Sequence, residues 1–253
     1  MGQLSTIYRK ESIYFWRSKQ FVWLPIVLMI FAVLDALSYY YLPEIIQWSG
    51  GLPEGTVFEA TSLEAYDAVM MGIDQLSFIG SLIIIAISMG VIAKERQVGL
   101  AEIIFTKPIH PATYIMAKWF ALITITTFSL FLALLFNWIY VNELFGAIAF
   151  QQFIFVFIFY NFWFSLIVTI TVFFNSFLSQ QGIVFASSAI TVFLMSAINM
   201  AFGHRLSYFP NQLSIHIKEM LINQEVSQAL LVTSAIILLL NLILLMASIF
   251  IFK

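Results

Sequence analysis

Six apolar runs, each long enough to cross a lipid bilayer, dominate this sequence. They fall at about 21–42, 70–93, 112–140, 147–174, 182–202 and 227–252. One crossing takes roughly 20 apolar residues. Each run has to be helical, because hydrocarbon offers no hydrogen-bond partner to backbone N–H and C=O groups. The third and fourth runs are long for a bilayer about 30 Å thick, and tilt or protrusion absorbs the excess. Six crossings use up most of the 253 residues. The expected fold is therefore an all-α integral membrane protein, one transmembrane domain over 1–253, with no room for a soluble catalytic domain of ordinary size.

Composition closes off other classes. Hydrophobic residues make up 62% of the chain and charged residues 9%, against about 25% charged in soluble domains. The net charge of −2 leaves no basic surplus for nucleic acid. With no cysteine, disulfides, thiolate metal sites and cysteine nucleophiles are excluded. His110, His204 and His216 lie outside the runs, so no intramembrane metal or catalytic cluster is expected.

The segments between the runs set the orientation. Nine of the eleven Lys and Arg residues fall before the first run, between the second and third, or at Lys253; only Arg205 and Lys218 lie opposite. Basic residues collect on the cytoplasmic side, which places both termini there. Residues 1–20 do not read as a signal peptide, which has a short apolar core of about 7–15 residues. Instead 3–18 reads as an interfacial helix, with Leu4, Ile7, Tyr8 and Phe15 on one stripe and Arg9, Lys10 and Arg17 opposite. Glu11 interrupts that stripe and Ile13 lies off it. Residues 43–69 form an acidic, turn-rich outer excursion. In 203–226, Pro210 and Asn211 look like a helix start, and Leu213, Ile217, Met220 and Leu221 recur at helical spacing. That predicts a short amphipathic or re-entrant helix at the outer face.

The richest loop is 94–111, KERQVGLAEIIFTKPIHP. Gly99 permits a turn or a close backbone approach. Leu100, Ile103 and Ile104 would share one side of a short helix, Pro108 would end it, and Pro111 suits the first turn of the third run. A partly apolar helix projecting between two membrane helices suits docking of a partner protein; the same pattern also fits an amphipathic linker resting on headgroups.

The run Glu95-Arg96-x-x-Gly99-x-x-Glu102-Ile103-Ile104-x-x-x-Pro108-Ile109 resembles the loop motif of ABC-2 type permeases, the membrane subunits of ATP-binding-cassette exporters with the type V fold. Leu100 stands where a small hydroxyl residue is common in that family, and Pro111 near where a basic residue often follows. The resemblance implies a cytoplasmic coupling helix formed by this loop, with Glu95, Arg96, Gly99, Glu102, Ile103, Ile104 and Pro108 and the N-terminal helix contacting separate ABC ATPase subunits. It implies a second permease chain, identical or related, and a multi-pass protein of the plasma membrane. The chain has no G-x-x-x-x-G-K-[ST] loop, so ATP and Mg belong to the partner and no cofactor or metal is expected here. The implied activity is export by ATP-driven alternating access; the few ionisable groups deep in the runs suit an amphipathic or hydrophobic cargo, such as a peptide, lipid-like compound or drug.

By the same resemblance the second and fifth runs line the pathway. Candidates are Gln75, Ser77, Ser81 and Ser88, then Ser187, Ser188, Thr191, Ser196 and Asn199; small and hydroxyl residues also serve as helix-packing surfaces. Asp35 and Asp74 fall toward the outer ends of their runs. Two other classes compete: a non-transporting membrane scaffold or sensor, and an intramembrane aspartyl protease using Asp67 and Asp74. The protease reading lacks a Gly-x-Gly-Asp motif, and both residues sit beside one outer loop.

Overall fold

A computed structural model describes residues 2–48, 63–99 and 110–252. Every regular element among them is helical. Six helical stretches are long and apolar enough to cross a membrane: Gln20–Tyr40, Ala65–Gln97, Pro111–Leu144, Phe150–Phe177, Gln181–Phe202 and Gln228–Ile251.

The chain opens with α1 (Gln3–Arg17). Lys19, in the left-handed region at φ 57°, turns it into α2 (Gln20–Tyr40), and α3 (Leu42–Trp48) follows α2. The second crossing begins at Ala65, earlier than the apolar run suggests. It is assembled from α4 (Ala65–Gln75), a π turn at Leu76–Gly80, α5 (Ser81–Ser88) and α6 (Ala93–Gln97). Side chains inserted beside a helix ladder widen it in this way. Here the Tyr160 hydroxyl donates to the Ile73 carbonyl at 2.8 Å and lies 2.7 Å from Ser77 Oγ. The remaining long helices are α7 (Pro111–Leu144), α8 (Phe150–Phe177) and α9 (Gln181–Phe202). A 3₁₀ turn at Pro210–Gln212 then leads into α10 (Leu213–Asn223), and α11 (Gln228–Ile251) follows. The predicted stripe Leu213, Ile217, Met220 and Leu221 is buried in α10, which packs against α4, α8 and α11.

The core lies where α2 meets α7, and where α8 meets α7 and α11. In lipid, apolar packing gains nothing from expelling water, so small residues and polar cross-links hold helices together. Both are present. The Trp119 indole N–H donates to Thr169 Oγ1 at 2.9 Å, and the Thr169 hydroxyl donates to Asn241 Oδ1 at 2.5 Å. This thread ties α7 to α8 and α8 to α11. Asn137 Nδ2 of α7 donates to the Ala32 carbonyl of α2 at 2.6 Å. Gly72 of α4 lets the three helices meet there, since a Cβ at that position would lie 2.2 Å from Ala32 O and 2.4 Å from Asn137 Nδ2. Overpacking of this kind costs about 1–3 kcal/mol or more. Gly72→Val is expected to lower the thermal midpoint in detergent markedly. Gly182→Ala, where a Cβ meets nothing within 4 Å, is expected to leave it unchanged.

Candidate functional site

The basic end of the bundle is organised by a break in the second crossing. The helix ladder lapses between α5 and α6 around Met89–Ile92, leaving backbone groups to be satisfied from outside. Asn175 of α8 supplies the partners. Its Oδ1 accepts from the Ala93 N–H at 3.0 Å, and its Nδ2 donates to the Ser88 carbonyl at 3.1 Å and the Thr171 carbonyl at 3.0 Å. The break re-aims α6, so that Glu95 and Arg96 reach different neighbours.

Glu95 turns toward α1 and α7. Its Oε1 accepts from Lys10 Nζ at 2.5 Å and lies 3.1 Å from Lys118 Nζ; its Oε2 accepts from the Tyr114 hydroxyl. Lys118 is fully buried and donates to Glu11 Oε1 at 2.7 Å and to the Val91 carbonyl at 2.7 Å, besides its ion pair with Glu95. Lys10 closes the ring at 3.4 Å from Glu11. Two carboxylates and two ammonium groups thus balance in a place where only one member, Lys10, is largely exposed, with 55% of its side chain open to solvent. Burial lowers the pKa of Lys10, but its hydrogen bond to Glu95 and the two nearby carboxylates outweigh this, and the net shift is upward.

Arg96 turns the other way. It donates to the Ser176 carbonyl of α8 at 2.5 Å, and its guanidinium lies 4.6 Å from the centre of the Phe252 ring. That ring stacks on Tyr114 at 5.3 Å. The Glu-Arg pair therefore ties α6 to α1, α7, α8 and the end of α11.

This knot flanks residues 100–109. Upstream stands Gly99, at φ +71°, a backbone state that favours glycine. Downstream, Pro111 occupies the first turn of α7 and His110 Nδ1 accepts from the Ala112 N–H at 3.3 Å, capping the helix. Of the motif residues, Glu95, Arg96 and Gly99 are placed; Glu102, Ile103, Ile104 and Pro108 lie outside the described residues.

The pathway candidates divide. Ser81, Ser88 and Ser188 are buried within the chain's own helix packing, and Ser81 donates to the Ser77 carbonyl; their side chains do not reach the chain surface. Gln75, Ser77, Ser187, Thr191 and Asn199 are half-buried, and Ser196 is exposed. A cleft of about 220 Å³ toward the other end brings Asp74, Ser77, Ser196 and Asn199 together with Tyr160 and Asn211. Asp35 is half-buried. Asp67 and Asp74 share one helix, α4, and Asp67 pairs with Lys218 at 2.7 Å. The two are not placed on facing helices, as a catalytic aspartyl pair would be.

Three members of the knot, Glu11, Tyr114 and Lys118, escaped the sequence reading or were misread. Glu11 is not a flaw in the α1 stripe: it is 5% exposed and aimed at Lys118, whereas Leu4 is exposed. Lys118 counts with the cytoplasmic-side cations in the charge bias, yet it falls within the predicted run 112–140 and lies inside α7. Tyr114 carries no local signal, whereas Asn175, a polar residue inside a span, reads from sequence as one that could glue helices together or line water. A charge inside a predicted span is a functional candidate by default, and that rule applies to Lys118 as it does to Asp35 and Asp74.

Compared with known proteins, the sequence matches a family model described as ABC-2 family transporter protein over residues 5–250. It is also similar to the uncharacterized transmembrane protein YxlG of Bacillus subtilis (strain 168). The two are 29% identical over 211 residues, covering 83% of this chain and 79% of the relative.

Proposed function

Because the chain belongs to the ABC-2 family of transporter proteins, and so is a membrane component of a transporter, we propose that it is the permease subunit of an ATP-driven exporter. ATP is bound and hydrolysed by separate cytoplasmic ABC ATPase subunits, and a second permease chain completes the pathway. The basic end faces the cytoplasm, in accord with the charge bias of the flanking segments.

The observation that carries this reading is the knot of Lys10, Glu11, Glu95, Tyr114 and Lys118. It ties both flanks of residues 100–109 to α1 and to the bundle. A force applied by a partner at 100–109 would reach α1, α6 and α7 as one body. Movement between two packings of paired bundles then gives alternating access, provided ATP favours one packing. An amphipathic or hydrophobic cargo suits spans with few ionisable groups. The cleft around Asp74 would favour a positively charged group near the exit.

A mild-detergent pull-down of the tagged chain from its native membrane tests the reading. The expected result is recovery of a Walker-motif ATPase, lost in Ile103→Asp while membrane insertion and yield stay normal. Recovery of the chain at good yield without any ATPase would favour the scaffold or sensor reading.

A further inference from the structure

A second cleft, of about 1320 Å³, opens at the basic end between α1 and the second crossing. It exceeds the roughly 300–1,000 Å³ of ordinary small-molecule pockets. Its walls are apolar along Ile13, Trp23, Ala86, Ile87 and Val91. Its lining also holds four cations, Arg9, Lys10, Arg17 and Lys94, against two acids, Glu11 and Glu95. Both acids are already engaged by Lys118 as well as by Lys10. Among the described residues Arg9, Arg17 and Lys94 join no ion pair; Lys94 only faces the Tyr14 ring at 6.0 Å. Tyr14 and Trp23 are partly exposed at the same level, as aromatic side chains are where membrane meets water.

The geometry points to a binding site for an anionic phospholipid, its phosphate held by Arg9, Arg17 and Lys94 and its acyl chains laid along the apolar wall. Charge and shape select this occupant together. A neutral lipid leaves three cations without a counter-charge, and a free phosphate leaves the apolar wall uncovered. Guanidinium groups pair with phosphate in a two-pronged geometry, and the basic side of a membrane protein is where anionic lipid is encountered. The bound lipid would brace α1 beside the Lys10–Glu95 contact, so its occupancy would bear on how firmly α1 is held. The assignment rests on the membrane reading and is independent of any ATPase.

Native mass spectrometry of the purified full chain tests it, with phosphatidylglycerol, phosphatidylcholine and glycerol phosphate as probes. A cation near an anionic surface strengthens attraction roughly fivefold, so phosphatidylglycerol is expected to be retained at least about tenfold over phosphatidylcholine. Glycerol phosphate should not displace it. The triple variant Arg9→Gln, Arg17→Gln, Lys94→Gln should lose the preference while keeping its thermal midpoint in phosphatidylcholine. Ala86→Phe, which narrows the wall without touching the charges, should lower phosphatidylglycerol retention and keeps the test open if the triple variant fails to fold. Equal retention of the two lipids would overturn the proposal. So would a preference that survives the triple variant, or displacement by glycerol phosphate. Loss of a co-purifying ATPase from the triple variant with its lipid preference intact would assign the cleft to a protein partner instead.

Discussion

Replacing Lys118 by methionine is expected to lower the stability of the chain by about 3–5 kcal/mol, the loss seen when one partner of a buried ion pair is removed. The side chain fits, but Glu11 loses its 2.7 Å partner while 7% exposed, and the Val91 carbonyl loses its donor. Glu95 keeps Lys10 and Tyr114. Most of the loss therefore comes from Glu11, which is left with only the longer 3.4 Å contact to Lys10. Adding Glu11→Gln to Lys118→Met should recover a large part of it, because a neutral amide costs far less to bury than a poorly paired carboxylate. Thermal unfolding of the two variants in one detergent checks both statements. A double variant no more stable than the single one would mean that Glu11 is not held by Lys118.

Glu95→Gln should have a different signature. The amide keeps the shape but weakens three charge-assisted contacts, to Lys10, Lys118 and Tyr114. Hydrogen bonds to charged groups contribute about 1.5–3 kcal/mol, so the equilibrium between docked and released α1 should shift by roughly 10- to 100-fold. Hydrogen exchange reads this directly. Amides of α1 should lose protection by that factor while those of α8 and α11, held by the Thr169–Asn241 thread, stay unchanged. Tyr114→Phe, which removes one donor, should move α1 in the same direction by less. If Glu95→Gln left α1 protection as it was, apolar contacts such as Phe15, which is 1% exposed, would be holding α1 without the knot.

How much of this was legible in the sequence follows from where each constraint acts. The crossings were readable because lipid demands long apolar runs, and α1 because amphipathic spacing is local. The start of the second crossing at Ala65 was hidden, since Tyr66 and Asp67 break the apolar run although the helix continues. The interruption near Met89–Ile92 was hidden for the opposite reason: the apolar run passes straight through it, and the partner that satisfies its backbone, Asn175, is 82 positions from Ala93. Glu11 and Lys118 are 107 positions apart, so neither could be assigned a partner from spacing. Charge in the wrong place, an acid on an apolar stripe or a lysine inside a span, was the visible half of the signal. The motif from Glu95 drew attention to Glu95, Arg96 and Gly99 without revealing that the first two face opposite sides.

If a partner ATPase drives the chain as proposed, α1, α6 and the flanks of residues 100–109 should move as one body. The chain has no cysteine, so spin labels can be placed cleanly on Thr6→Cys and Val98→Cys, both exposed positions. The measurement is the distance between them within one chain, with and without ATP, in the complex recovered with its ATPase. It is compared with the Val98-to-Val98 distance between two copies. The expected result is an unchanged distance within the chain and a changed distance between copies. A shift within the chain as large as the one between copies would show that α1 and α6 move apart, and the knot would then be a static clasp and not a lever.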